Sequence, residues 1–149
     1  MLDLRELYQE VIIDHNKNPR NFHKLPCCSH TAEGFNPLCG DKITLYVDVA
    51  SDKIADISFQ GAGCAISTAS ASLMTEIVKG KKISEAKNIF SVFHDLLMGK
   101  ENALTPDLMG KLTVLAGVKA YPARVKCATL AWHAFQTALQ GDKSAVSTE

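Results

Sequence analysis

The sequence predicts an α+β fold, a small antiparallel β-sheet of about three strands with helices packed on one face. Three observations predict it. Ile43, Leu45, Val47 and Val49 alternate with Thr44, Tyr46 and Asp48, the period of a strand with one buried face. A second alternating run, Ile54 to Gln60, follows the polar turn Ala50-Ser51-Asp52-Lys53, so the two runs read as an antiparallel hairpin. From Cys64 onward the pattern is helical throughout, which sets helices after strands.

Taken in order, the first element is an amphipathic helix. Leu4, Leu7, Tyr8, Val11 and Ile12 recur at helical spacing, and Asp3 with Glu6 places negative charge where it suits the helix dipole. It stops before Asn18-Pro19. Ser29 to Phe35 is expected as a further strand, on poorer alternation. In the second strand of the hairpin, Ala55, Ile57 and Phe59 are expected on one side. Cys64 to Lys79 reads as a helix rich in small residues (Ala65, Ser67, Ala69, Ser70, Ala71, Ser72) that let it lie close to a sheet, with Gly80 closing it. Ser84 is the expected N-cap of the next, which turns Ile89, Phe90, Phe93, Leu96 and Leu97 inward and ends at Gly99. Thr105-Pro106 opens a third, carrying Leu108, Met109, Leu112 and Leu115. The last begins near Pro122 and runs to about Gln140. Residues 1–141 are expected to form a single domain and 142–149 a flexible tail.

A chain of 149 residues suits one domain with its own core and is short for two. Sixteen basic and sixteen acidic residues cancel, which argues against a general attraction to nucleic acid or anionic lipid. No apolar run approaches the roughly 20 residues that span a bilayer. The N-terminus lacks a basic-then-apolar signal pattern, so the expected compartment is the cytoplasm. Five cysteines, an odd and dispersed set, would there be inert thiols, metal ligands or reactive thiols rather than disulfides.

Three of them stand in distinctive surroundings. Cys39 lies in Asn36-Pro37-Leu38-Cys39-Gly40-Asp41, where an extended backbone would turn Cys39 and Asp41 to the same side. Cys64 follows Gly61-Ala62-Gly63 and opens a helix, whose N-terminus favours a thiolate. Cys127 comes early in the last helix, with Arg124 and Lys126 as cationic neighbours. Three thiolates and a carboxylate would suit tetrahedral zinc, with the carboxylate as the more replaceable ligand. On spacing alone, three buried thiols with no metal remain the alternative.

Together these segments resemble a known family. Asn36 to Asp41, Gly61 to Ser67 with Ala69-Ser70, and Arg124-Val125-Lys126-Cys127-Ala128-Thr129-Leu130-Ala131-Trp132 look like the three cysteine blocks of iron–sulfur assembly proteins of the IscU/NifU N-terminal type. The likeness runs from about Leu4 to Gln140 with the blocks in order. Within the family the chain is closer to the SufU branch. IscU scaffolds carry a His immediately before the third cysteine, where this chain has Lys126, and the stretch between Cys64 and Cys127 leaves room for the extra helical segment of SufU-like members. The scaffold's Leu-Pro-Pro-Val-Lys chaperone-recognition motif is missing; that place reads Tyr121-Pro122-Ala123-Arg124-Val125-Lys126.

The resemblance implies an α/β sandwich and a zinc site made by Cys39, Asp41, Cys64 and Cys127. It implies docking to a pyridoxal-phosphate cysteine desulfurase of the SufS type, with Cys39 receiving sulfur as a persulfide and Arg124 assisting the ligand exchange. Further SUF cluster-assembly proteins or apo iron–sulfur proteins are the downstream partners that it suggests. Two other uses of the same ligands stay open: a scaffold that binds iron or a [2Fe–2S] cluster and passes it on, and a structural zinc staple in an interaction module. Outside the blocks, Cys27 and Cys28 carry no assigned role, and an adjacent pair makes a strained bridge. His15, His23, His30, His94 and His133 lack paired ligand spacing, His30 being the one nearest the Cys39 loop. Trp132 and Phe135 are expected to anchor the last helix in the core. The serines after Cys64 lack the G-x-S-x-G elbow of a nucleophile and read as packing residues.

Overall fold

The computed structural model describes residues 4–26, 28–37, 39–98, 115, 122–140 and 146–147. In chain order the elements are α1 (Leu4–Lys17), β1 (His30–Asn36), β2 (Asp41–Ala50), β3 (Lys53–Ala62), α2 (Ala65–Val78), α3 (Ile83–Leu97), α4 (Pro122–Leu139) and β4 (Val146–Ser147). The expected third helix, opened by Thr105-Pro106, lies outside the described residues except for Leu115, which is helical and buried. No helix among the described residues is long and apolar enough to cross a membrane.

The sheet runs β3-β2-β1-β4. β1 and β2 are antiparallel from His30 opposite Val47 to Asn36 opposite Asp41, and β2 and β3 form the expected hairpin. Along β2 the alternation holds: Asp41, Ile43, Leu45 and Val47 are buried, with exposed or half-buried residues between them. Helices α2 and α4 pack on the sheet and on each other, α1 lies against α2, and α3 against α4. Core and sheet are therefore those of the expected α+β sandwich. The small residues of α2 do what close packing requires. Ser70 Oγ donates to the Ala128 carbonyl and accepts from Trp132 Nε1–H at 3.1 Å, joining α2 to α4 inside the core. Trp132 and Phe135 are fully buried, with the Phe93 ring 5.1 Å from Trp132. Ser72 Oγ accepts from the Arg20 backbone N–H and lies 2.7 Å from Nδ1 of the buried His15, which ties α1 to α2.

Three expectations need correction. A bulge opposite Asp48 and Val49 shifts the register of β3, so Ile54 is buried and Ala55 exposed, although Ile57 and Phe59 stay inward. Helix α3 starts at Ile83 with Lys82 as N-cap, and Ser84 is already inside it. The cause is tertiary: the Ile83 N–H donates to the Asp52 carbonyl of the hairpin turn, which satisfies one of the unpaired N–H groups of the helix start and fixes where the chain enters it. Within the segment expected as a flexible tail, Val146–Ser147 pairs in parallel with Gly34 and Phe35 of β1. Backbone groups on the free edge of β1 can recruit a strand without any apolar pattern in that strand.

Candidate metal centre

The site forms where β1 ends, β2 begins and two helices arrive. β1 passes into β2 through a tight turn in which the Cys39 N–H donates to the Asn36 carbonyl at 3.3 Å. Gly40 follows at φ +69°, a left-handed conformation that glycine adopts without steric cost. Cys39 and Asp41 are thus brought together by a turn, not by the extended backbone expected from their spacing. Asp41 is the first residue of β2 and points into the helix layer, where its side chain is buried.

Cys64 comes from the junction of β3 and α2. It is the N-cap of α2, its Sγ accepting from the Ser67 N–H at 3.4 Å, while its own N–H donates to Asp41 Oδ1 at 2.7 Å. Its Sγ lies 3.8 Å from Asp41 Oδ2. Cys127 is buried in α4, with its Sγ 3.0 Å from that of Cys39. Asn36, fully buried, donates from Nδ2 to both Asp41 Oδ2 and Cys127 Sγ, each at 3.2 Å.

Ligand atoms of Cys39, Asp41 and Cys127 all lie within 4.8 Å of one another. Cys64 stands beside this group through its contact with Asp41. A tetrahedral zinc with Zn–S bonds near 2.3 Å sets its sulfurs about 3.8 Å apart. The donors present therefore fit the ion after a small opening of the Cys39–Cys127 pair, and their chemistry, thiolate with one carboxylate, is acceptable to zinc.

Electrostatics of the protein alone oppose ionisation of Cys64 and Cys127. Burial pushes the Cys64 thiol up from its ordinary range, with the Ser67 N–H working the other way and the Asp41 charge adding to the rise. Burial raises Cys127 further, and the neighbouring Cys39, Cys64 and Asp41 act in the same direction. The cations and helix ends in the sequence suggested the opposite; desolvation wins because two of the ligand side chains sit inside the sandwich. A divalent cation at this point would reverse the balance, since it stabilises each thiolate directly.

Arg124 is exposed on the first turn of α4, three residues before Cys127 and hence on the same helical face. Lys126 is half-buried. Cys28 is a half-buried free thiol, and Cys27 lies outside the described residues. His30 opens β1, at the opposite end from Asn36 and about 20 Å away along the strand, where it pairs with Ser29 Oγ at 2.7 Å. His94 and His133 do meet, with ring centroids 6.3 Å apart, but among the described residues they gather no third ligand. Asn36 is the site residue that sequence reasoning passed over. An Asn before a Pro reads as a turn former; the signal that could have found it was its place three residues ahead of the first cysteine.

The NifU-like N terminal domain family matches residues 7–139. The chain is 46% identical to the zinc-dependent sulfurtransferase SufU of Bacillus subtilis (strain 168) over 134 residues, 90% of either chain. To the iron–sulfur cluster assembly scaffold protein IscU of Streptococcus pyogenes serotype M1 it is 42% identical over 142 residues, 95% of this chain and 88% of that one. Among solved structures, a candidate iron–sulfur cluster assembly scaffold protein for the SUF system from Fervidobacterium islandicum AW-1 superposes with a TM-score of 0.83 at 37% identity. That match covers 91% of this chain and 98% of the other. With its three cysteine blocks on this sandwich and a family match along most of its length, the chain belongs to the NifU-like N-terminal domain family.

Proposed function

We propose that this chain is a zinc-dependent sulfur-transfer protein of iron–sulfur cluster assembly, which takes sulfur from a SufS-type cysteine desulfurase onto Cys39. One observation carries the reading: within a single ligand cluster Cys39 is exposed, while Asp41 and Cys127 are buried. Cys64 is half-buried, so of the three thiols Cys39 is the one that a partner reaches most readily. The high identity to a protein described as a zinc-dependent sulfurtransferase supports the same chemistry.

Cys39, Asp41, Cys64 and Cys127 would hold the zinc, which would supply the charge that keeps their thiols ionised. The chain's own residues do the rest. Asp41 and Cys64 are tied to each other through the 2.7 Å bond from the Cys64 N–H, so neither moves alone. Cys39 rides on a turn that ends in Gly40, and it can leave the cluster by rotation of that turn. Once outside, its thiolate attacks the outer sulfur of the desulfurase's cysteine persulfide. A sulfur–sulfur bond forms on Cys39, the partner's sulfur–sulfur bond breaks, and the partner's cysteine departs as a thiolate that takes up a proton. The exchange has no net oxidation or reduction. Arg124, on the adjacent turn of α4, balances negative charge at the cluster edge as Cys39 departs.

Metal analysis with a desulfurase assay tests this. About one zinc per chain is expected, with strong stimulation of desulfurase turnover. Cys39→Ala should abolish sulfur acceptance and stimulation. A protein that carries zinc yet neither accepts sulfur nor stimulates its desulfurase would sink the reading. A scaffold role on the same ligands is favoured by the carboxylate, which would leave a [2Fe–2S] cluster labile, and by the scaffold description of the streptococcal relative. Anaerobic reconstitution decides it: a stable chromophore that passes to an apo-ferredoxin would favour the scaffold.

A further inference from the structure

Asn36 touches every member of the mutual ligand group. Its carbonyl accepts the Cys39 N–H at 3.3 Å, and its Nδ2 donates to Asp41 Oδ2 and Cys127 Sγ at 3.2 Å each. Both side-chain N–H bonds are used on two groups that carry negative charge when a metal is bound. The opposite orientation of the amide would set its oxygen against a carboxylate and a sulfur, so donation toward the ligands is the orientation the site enforces. In this position Asn36 Oδ1 is buried with no hydrogen-bond partner among the described residues. A side chain present only to fill space would be better apolar, because the unsatisfied carbonyl then vanishes with nothing lost. The backbone explains the reach: Asn36 is the last residue of β1, directly opposite Asp41 in register, and faces α4 across the sandwich.

We infer that Asn36 is a positioning residue, whose amide clamps Asp41 and Cys127 as a fixed pair so that Cys39 is the ligand that leaves. The division of labour follows from the bonds. Asp41 is held twice, by the Cys64 N–H and by Asn36. Cys127 is held by Asn36 and by burial in α4. Cys64 is held by the Ser67 N–H. For Cys39, exposed on its turn, the sulfur's contact is with Cys127 Sγ at 3.0 Å. A carboxylate is ordinarily the more replaceable ligand beside thiolates; here two N–H donors anchor it, and lability passes to the exposed thiol.

This inference rests on the reading of the cluster as a zinc site, and the test separates the two. Zinc affinity by chelator competition is measured for the wild type, Asn36→Asp, Asn36→Leu and Asn36→Ser, together with the melting temperature of each zinc-free protein. The cobalt(II)-substituted forms are compared by their visible absorption spectra. Asn36→Asp keeps the shape but cannot donate; Asn36→Leu removes the polar group without adding charge; Asn36→Ser keeps one donor on a shorter arm. The expected result is a roughly 10- to 100-fold loss of zinc affinity in the Asp and Leu variants, with altered cobalt bands and partial recovery in the Ser variant. Among the cluster cysteines, alkylation of the zinc-loaded wild type should label Cys39 before Cys64 and Cys127, and the Leu variant should lose that order. Should Asn36→Asp fail to fold, the Leu and Ser variants decide the matter. Affinity and spectra like the wild type's, or an affinity loss no larger than the zinc-free destabilisation accounts for, would overturn the inference alone. A wild type that takes up no zinc overturns the site reading and this inference with it.

Discussion

At Gly63 a Cβ would stand 2.6 Å from Asp41 Oδ1, the same oxygen that accepts the Cys64 N–H. The residue before the second cysteine is therefore small because a carboxylate occupies the space a side chain would need. At Gly40 the reason differs: φ is +69° and nothing lies within 4 Å of where a Cβ would stand, so only the backbone conformation asks for glycine. The two positions make a matched pair. Gly40→Ala should cost about 1–2 kcal/mol of stability through backbone strain and change zinc affinity little. Gly63→Ala must push Asp41 aside and break its charge-assisted bond, so zinc affinity should fall by roughly 10- to 100-fold. Chelator competition with parallel melts reads both effects. A Gly63→Ala protein that holds zinc as tightly as the wild type would show that Asp41 is not the oxygen ligand.

Helix α2 uses Cys64 twice, as its N-cap and as a sulfur beside the cluster. The two roles separate chemically. Serine caps helices well, so Cys64→Ser should keep the stability of the zinc-free protein within about 0.5 kcal/mol, while zinc affinity collapses. Cys64→Ala loses the cap as well and should cost a further ~1 kcal/mol. Equal zinc affinity in wild type and Cys64→Ser, by the same competition assay, would remove Cys64 from the ligand set. Elements like this one were legible because their signals are local: the glycines before Cys64, the alternation of β2, the apolar spacing along α4. The start of α3 was not, since a carbonyl from the Asp52 turn fixes its first N–H and no local pattern records it. Ala55 was misplaced because one bulge residue inverts the alternation at the start of β3. The candidate ligands stand in recognisable local blocks, whereas Asn36 acquires its place only when β1 meets β2 and α4 arrives above them.

Across the whole molecule, the four candidate ligands come from the β1–β2 turn, the start of β2, the β3–α2 junction and α4. A metal there would join the sheet to both helices that cover it. Much of the core nevertheless rests on side chains other than these four. Leu45, Ile57, Leu73, Met74, Trp132 and Phe135 are fully buried, and Ser70 ties α2 to α4 independently of any cysteine. Buried apolar side chains contribute about 1.5–3 kcal/mol each before entropy is counted, so the interior has a driving force that metal removal does not touch. Zinc should thus stabilise a structure that already exists. Binding at a free concentration about a thousand times Kd adds about 4 kcal/mol, which in a domain of this size raises the melting temperature by roughly 10 °C. The chelated protein should keep one cooperative melting transition and its near-ultraviolet circular dichroism, with only sulfur transfer lost. If chelation instead erases the aromatic signal and the transition together, the metal is a structural staple, and Cys39 is a ligand that cannot leave without unfolding the sandwich.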